Sequence, residues 1–170
     1  MIWLLIGVLV FLVLPVVTGM LLSPPFRFEV ERDFAHSPEA VWKALNDFAA
    51  VPMSGKQCRG SQAVESDNGL PAWEENMGPS VARFRTEASE PPRRLVRHFA
   101  DSVVPMTMRC EYTLEKAGDG CRLRVEVDGK IENGTWHVPI FRFLVKLLGM
   151  GRKGQSNYAA ALARHLDAAA

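Results

Sequence analysis

Residues 106–131 carry the sequence MTMRCEYTLEKAGDGCRLRVEVDGKI, which decides the fold. Apolar and polar residues alternate strictly on both sides of a glycine-containing turn, with the two-residue period of a strand that buries one face. The two runs therefore predict an antiparallel hairpin. With Lys116 opposite Cys121, the apolar residues all fall on one face, in the pairs Leu114–Leu123, Tyr112–Val125, Cys110–Val127, Met108–Gly129 and Met106–Ile131.

An apolar sheet face needs a covering element, and the pattern downstream predicts one long helix over Val138–Asp167. Its apolar stripe consists of Phe141, Leu144, Leu148, Gly151, Gln155, Tyr158, Leu162 and Leu166. Gly149, Gly151 and Gly154 weaken its middle by up to about 1 kcal/mol each relative to alanine, so we expect a bend or a loose middle. Further apolar residues in its first half either widen the core contact or graze a membrane surface.

The N-terminal segment 2–22 contains no charged residue. At about 1.5 Å per residue it would form a helix of roughly 30 Å, the thickness of a bilayer core. We expect residues 1–25 to be a transmembrane anchor with a Pro-rich spacer and residues 26–170 to form one domain; a cleaved signal peptide and a buried core helix are the alternatives. Arg27 and Arg32 follow the span, so the positive-inside rule predicts a single-pass membrane protein with a cytoplasmic domain.

The composition limits the partners that the chain is expected to have. A formal net charge of +1 without basic runs gives no reason to expect nucleic acid. The three cysteines are odd in number, and the hairpin register separates Cys110 from Cys121, so we expect free thiols. No C-x-x-C or H-x-x-x-H spacing occurs, and we expect neither a metal nor a cofactor.

Alternation over Phe26–Phe34 predicts a first strand, in which Arg32 falls in the inward register. Arg32 either lies at the end of the sheet and reaches water or places a cation at the mouth of a pocket. A helix is predicted to begin next, with Ser37 as its N-cap and Pro38 at its first position.

Weaker patterns predict further strands at 61–66, 70–77, 81–88 and 94–100. In the third of these, Ala82, Phe84 and Thr86 face inward. The fourth leaves two choices, because either Leu95, Arg97 and Phe99 or Val96 and His98 face inward.

The segment FAHSPEAVW at 34–42, its continuation through Asn46-Asp47-Phe48 to Pro52, and the order of predicted elements over 26–167 resemble the START-related polyketide cyclase and lipid-transport superfamily (SRPBCC). The resemblance implies an α+β helix-grip fold, in which a bent antiparallel sheet of about seven strands wraps a long C-terminal helix and leaves a cavity. In this chain one transmembrane helix would precede it. The resemblance implies a pocket for an apolar molecule but no reaction, because the superfamily includes carriers, sensors and enzymes.

We expect the domain to bind or transfer a lipid or other apolar small molecule in this cavity rather than to catalyse a reaction. The support is Gly129 opposite Met108, which would leave volume unfilled beside an adaptable methionine; a packed core with a bulge is the alternative. The predicted ligand contacts are Met106, Met108, Cys110, Tyr112, Val125, Val127, Gly129, Ile131, Phe84 and Arg32.

Two other functions stay open at this point. One is a cyclase or dehydratase-type enzyme that uses His98, Tyr112, Arg32 or Glu75 as acid or base. The other is a non-catalytic accessory protein that contacts a membrane partner. The sequence pairs none of the four polar residues with a group that would shift its pKa, so catalysis has no mechanism from sequence alone.

Overall fold

The structure is a computed structural model that describes residues 2–135 and 137–169. In this part of the chain the helices are α1 (Ile2–Leu21), α2 (Pro38–Leu45), α3 (Val138–Lys146) and α4 (Met150–Ala169). The strands are β1 (Pro25–Phe34), β2 (Gly60–Val64), β3 (Ala72–Asn76), β4 (Val81–Glu90), β5 (Arg94–Asp101), β6 (Met106–Ala117) and β7 (Gly120–Ile131). Met1, Trp136 and Ala170, which fall within the predicted regions 1–25 and 26–170, lie outside the described residues.

These strands form one seven-stranded sheet in the order β1-β7-β6-β5-β4-β3-β2. Every neighbouring pair is antiparallel. The first strand lies beside the last one, with Val30 opposite Val125 and Phe34 opposite Cys121, because its apolar alternation matches that of the hairpin. The bent antiparallel sheet with its C-terminal helix is the helix-grip fold that the sequence predicts.

The hairpin of β6 and β7 has the predicted register. Its pairs run from Met106 opposite Ile131 to Lys116 opposite Cys121, and one further pair closes the turn. The central inner residues are buried, with Tyr112 only 1% exposed, whereas the outer residues carry charge. A strict alternation of apolar and polar residues was therefore enough to fix which side of the hairpin faces the core.

The helix α2 begins as predicted. The Ser37 hydroxyl accepts a hydrogen bond from the Ala40 backbone amide at 3.3 Å, and Pro38 occupies the first helical position. The helix ends at Leu45, with Asn46 as its C-cap. The strands β2 to β5 lie at the predicted places, with ends shifted by a few residues.

The expected long C-terminal helix is two helices. The chain breaks over residues 147–149, where Gly149 has a φ of 62°, a left-handed conformation that favours glycine. The predicted loose middle thus becomes a turn between α3 and α4. The expected continuous buried stripe is wrong in its first half, because Phe141 and Leu148 are 38% and 59% exposed. In α4 the stripe continues inward through Tyr158 and Leu162.

The N-terminal residues form the helix α1, whose end packs against α3. A Cβ added to Gly19 would clash with the backbone of Pro139, so the two helices approach closely there. Among the described residues, no helix is long and apolar enough to cross a membrane, and the predicted anchor is not supported. The predicted localisation and the independent folding of residues 26–170 stay predictions.

The interior contains two adjoining clusters of side chains. The larger one joins the inner residues of β1, β6 and β7 to α2 and α4. The smaller one stacks Trp73 between Phe48 and Phe84, with ring centroids 4.9 Å apart on each side. Partly buried methionines, Met53, Met106 and Met108, contact both clusters. The candidate site lies where the two clusters meet.

Candidate functional site

The strand β5 brings a charged side chain into the interior. Arg97 lies opposite Cys110 in the β5–β6 ladder, and residues paired across an antiparallel ladder share a face. Leu95, Arg97 and Phe99 therefore face inward, which resolves the two choices left by the sequence. His98 lies on the outer face, opposite Arg109.

Arg97 is 1% exposed and has no carboxylate partner among the described residues. Its Nη2 donates hydrogen bonds to the backbone oxygen of Leu45 at 2.8 Å and to Asn46 Oδ1 at 3.2 Å. The guanidinium lies over the rings of Trp73 and Tyr112, 4.8 and 5.7 Å from their centroids. The aromatic faces and the amide oxygens stabilise this buried cation only in part. A buried ion without an ion-pair partner costs several kcal/mol of stability.

Two of the three nitrogens of this guanidinium have unused N–H groups. Arg97 Nε and Nη1 are buried and have no well-aligned hydrogen-bond partner in the described part of the chain, although the Tyr158 hydroxyl lies close enough to Arg97 for a hydrogen bond from it to lower the pKa of Tyr158. Native proteins satisfy most buried donors, so such groups call for a specific explanation. Nε–H and Nη1–H point to different sides of the guanidinium, so a ligand oxygen beside either nitrogen would accept a charge-assisted hydrogen bond from that nitrogen alone.

Glu75 shows the opposite situation at the same depth. It is 0% exposed and accepts hydrogen bonds from the backbone amides of Met53 at 2.9 Å and Ser54 at 2.7 Å. Trp73 Nε1 donates a third at 3.0 Å. Glu75 is therefore satisfied by neutral donors and ties the loop at residues 53–54 to β3, which argues for a structural role rather than the acid–base role considered from the sequence.

Two buried tyrosines flank Arg97. Burial raises the pKa of Tyr112 well above its ordinary value, and burial also raises the pKa of Tyr158, against the opposing effect of the nearby Arg97 charge. Both phenols therefore stay protonated at neutral pH. The hydroxyl of Tyr112 donates to Met53 Sδ at 3.8 Å, which is a weak acceptor, and it also interacts with the Cys110 thiol.

Cys110 and Gln155 extend this polar cluster toward α4. The three cysteines are free thiols, and burial raises the pKa of Cys110 to about 12, so this thiol is not a nucleophile at neutral pH. Gln155 Nε2 approaches Cys110 Sγ at 3.9 Å, whereas Gln155 Oε1 is buried without a partner among the described residues. Thr86 Oγ1 on β4 is likewise buried without a hydrogen-bond partner among the described residues.

The predicted ligand contacts on the hairpin and β4 do come together on the inner face. Those that are buried are Phe84, Cys110, Tyr112, Val125, Val127 and Ile131, and those that are partly buried are Met106 and Met108. Arg32 does not join them: it is exposed, with its guanidinium 6.0 Å from the Phe34 ring centroid, so it lies at the end of the sheet. Whether any of these residues contacts a ligand stays a prediction.

The expectation of unfilled volume at Gly129 is wrong. A Cβ added there would overlap the ring of Phe26 and would lie 3.0 Å from Met108 Cγ. The sequence paired Gly129 with Met108 correctly but gave no information on the side chain that β1 places over it. Phe26 fills the space because it lies opposite Gly129 in the β1–β7 ladder.

Sequence reasoning missed most of the polar cluster. Trp73, Tyr158 and Gln155 were seen only as parts of a strand or an apolar stripe, and Arg97 as one of two choices. The available signal was the charge of Arg97 between the apolar residues Leu95 and Phe99. If these three residues share the inner face of a strand, the arginine must be buried.

Comparisons with known proteins agree with this architecture. A model of the family described as polyketide cyclase / dehydrase and lipid transport matches residues 34–147. The Zhui aromatase/cyclase from a Streptomyces species is similar in structure, with a TM-score of 0.68 and 12% identity over 84% of this chain and 94% of that one. No curated protein matches the chain.

Two further solved structures are similar. Protein Mll3558 from Rhizobium loti has a TM-score of 0.62 and 20% identity, covering 82% of this chain and 96% of that one. The di-domain ARO/CYC protein StfQ of the steffimycin biosynthetic pathway has a TM-score of 0.60 and 13% identity, covering 84% of this chain and 51% of StfQ. At such identities the likeness is one of fold.

Proposed function

This chain belongs to the polyketide cyclase / dehydrase and lipid transport family, and on that premise we propose that its interior binds an apolar small molecule whose polar end is held by Arg97. The family supports the apolar molecule, and the site supports the polar end. The ligand class is therefore an amphiphile with an oxygen anion or a carbonyl at one end, such as a fatty acid or an oxygenated polycyclic molecule.

The observation that carries the proposal is that two buried nitrogens of Arg97, Nε and Nη1, have unpartnered N–H groups. A buried guanidinium stacked on Trp73 and Tyr112 is held in one orientation, so its free donors are preorganised for a ligand oxygen. A carboxylate oxygen accepts a charge-assisted hydrogen bond from such a donor. The surrounding aromatic rings would contact the apolar part of the ligand.

Entry of a ligand requires movement, because the inner residues of the hairpin are closely packed. The break at residues 147–149 allows α4 to move relative to α3 with the hydrogen bonds of both helices kept. Met53, Met106 and Met108 lie where the two core clusters meet, and flexible thioether side chains adapt to a new neighbour.

The experiment titrates a fluorescent polyene fatty acid, cis-parinaric acid, and its methyl ester into the wild type, Arg97→Met and Arg32→Met. A charged hydrogen-bonded contact contributes about 1.5–3 kcal/mol, so Arg97→Met should weaken acid binding by roughly 10- to 100-fold and should weaken ester binding by less, because a neutral ester carbonyl accepts a weaker hydrogen bond. Arg32→Met is the matched control, because it removes an exposed arginine from the same face and should change neither titration.

Arg97→Met should remain folded, since replacing a buried ion by an apolar side chain of similar length is often neutral for stability. Denaturant midpoints of the three proteins check this. The proposal fails if Arg97→Met binds the acid as tightly as the wild type does, or if the wild type binds neither probe.

A second candidate is a cyclase or dehydratase reaction, favoured by one observation. Two protonated phenols, Tyr112 and Tyr158, flank the Arg97 cation, and such donors stabilise the oxygen anion of an enolate. Several similar structures are described as aromatase/cyclases. Turnover of a poly-β-carbonyl substrate that is lost in Tyr158→Phe, with binding retained, would favour this reaction over binding alone.

A further inference from the structure

A patch of exposed apolar side chains surrounds the break between α3 and α4. We call it the elbow surface and define it by Leu147, Leu148 and Met150 at the break, which are 54%, 59% and 52% exposed, and by Met20 and Leu21 at the end of α1, which are 67% and 82% exposed. Contiguous apolar side chains of this size on a protein surface mark an interaction site.

The end of α1 is held beside the break by a lysine. The Lys146 ammonium donates hydrogen bonds to the Ser23 backbone oxygen at 2.9 Å and to the Pro25 backbone oxygen at 2.8 Å. Close packing of Gly19 on Pro139 fixes the preceding turn of α1 against α3. The two groups of apolar residues therefore belong to one surface.

Basic side chains border the elbow surface. Lys146, Arg152 and Lys153 have no carboxylate within ion-pair distance among the described residues. Arg27 lies nearby but pairs with Glu126 and Asp128 at 3.2 and 3.3 Å. The surface thus combines exposed apolar groups with uncompensated positive charge.

A groove of about 410 Å³ opens beside the same break, between β1 and the two helices. The stacked rings of Phe26 and Phe28, with centroids 6.1 Å apart, and the side chain of Val145 form apolar walls, and Lys146 and Arg152 line the groove as well. An acyl chain could lie against these walls with an anionic head beside the cations.

We propose that the elbow surface docks on a lipid bilayer that contains anionic lipids. Its apolar side chains insert among the acyl chains, while Lys146, Arg152 and Lys153 meet the phosphate and carboxylate head groups. A second copy of the chain fits less well, because a symmetric contact would set the cations of one elbow against those of the other. The proposal does not depend on what the interior binds.

The test is cosedimentation of the full chain with vesicles of phosphatidylcholine alone and of phosphatidylcholine mixed with phosphatidylserine. The wild type should bind the mixed vesicles more strongly, and added salt should weaken that binding. Leu148→Glu and Arg152→Glu should each lower the partition coefficient by about tenfold, from the loss of one inserted side chain and the reversal of one charge.

Two exposed positions outside the elbow surface provide matched controls. Val103→Glu removes an apolar residue that is 50% exposed, and Lys56→Glu reverses a charge on an exposed residue; both should bind vesicles like the wild type. The acid-versus-ester titration at Arg97 should be unchanged in Arg152→Glu, which lies outside the break, and this separates the docking proposal from the proposed function.

Four results would overturn the docking proposal. The first is that the wild type binds both vesicle types equally, and the second is that the elbow variants bind vesicles like the wild type. The third is that the control variants lose as much vesicle binding as the elbow variants. The fourth is that Leu148→Glu changes the oligomeric state, measured by light scattering, without changing vesicle binding. The second result would assign the binding to another part of the chain, such as α1, and the fourth would assign the elbow to a second copy.

Discussion

The sheet half formed by β1, β6 and β7 and the half formed by β3, β4 and β5 line the same interior with different chemistry. In the first half, the fully buried inner residues carry no charge. In the second half, Glu75, Thr86 and Arg97 are at most 1% exposed. The first half is an apolar wall that stabilises the fold, and the second half holds the buried polar groups that we propose as the ligand site.

Within the polar half, the two charged residues differ again. Glu75 accepts three hydrogen bonds from the protein, whereas Arg97 keeps two N–H groups unpartnered. A carboxylate that is satisfied internally belongs to the architecture, and a cation that is partly unsatisfied belongs to the site. The predictions below test this division, from the largest effect to the smallest.

Removal of the Glu75 carboxylate should cost the most. Glu75→Ala leaves two backbone amides and the Trp73 indole N–H buried without an acceptor, and the free energy of unfolding should fall by about 3–5 kcal/mol. Glu74→Ala is the control on the neighbouring outer position, where loss of a surface ion pair with Arg83 should cost less than about 1 kcal/mol. Urea denaturation measures both; equal losses would contradict the structural role of Glu75.

Filling the space at Gly129 should also destabilise the protein. Gly129→Leu would drive a side chain into the Phe26 ring, and overpacking of this kind costs about 1–3 kcal/mol. In the control Gly60→Leu, the new Cβ meets no atom within 4 Å, so the change should be smaller. If Gly129→Leu unfolds at the wild-type denaturant midpoint, the hairpin wall is not closed and a pocket exists there.

A hydroxyl group added to the first half and a hydroxyl group removed from the second half should have opposite effects on stability. Val125→Thr places an unpartnered hydroxyl in the apolar wall and should cost about 1–3 kcal/mol. Thr86→Val removes a buried hydroxyl that has no described partner and should be neutral or stabilising by up to about 1 kcal/mol. Thermal and denaturant midpoints measure the pair, and a large loss in Thr86→Val would show that this hydroxyl has a partner.

A rise from pH 9 to pH 10 should weaken the fold by the smallest amount. Burial raises the pKa of Cys110 from 9.0 to about 12, so the folded state keeps a proton that the unfolded chain releases. The stability due to this proton is complete below pH 9 and is lost as pH rises toward 12, at about 1 kcal/mol between pH 9 and pH 10. Cys110→Ala should flatten this slope; an unchanged slope would assign it to other groups, such as Tyr112 and Tyr158.

The two halves also differed in how much the sequence could predict. Alternation fixed the hairpin register, since a slip of one residue would expose every apolar side chain. It could not place Arg97, because Leu95-Arg97-Phe99 and Val96-His98 are both reasonable inner faces. The backbone partners of Glu75 at Met53 and Ser54 and the ring over Gly129 come from residues distant in sequence, so these contacts could not be predicted from the local pattern.

The C-terminal region shows the same limit. The glycines predicted a weak middle, but only Gly149 has a left-handed conformation and breaks the helix, whereas Gly151 and Gly154 lie within α4. Propensity gives the same weight to all three, and the packing of α3 against α1 and α4 decides between them. The exposed elbow follows from that choice.

The central claim is that Arg97 holds the polar end of an apolar ligand, and the nuclear magnetic resonance signal of its side-chain Nε–H group tests this most directly. In uniformly ¹⁵N-labelled protein, with Arg97→Met to assign the signal, cis-parinaric acid should shift the Arg97 Nε–H resonance strongly, and its methyl ester should shift it less. A bound acid that leaves the Arg97 resonance unchanged while other signals move would contradict the account.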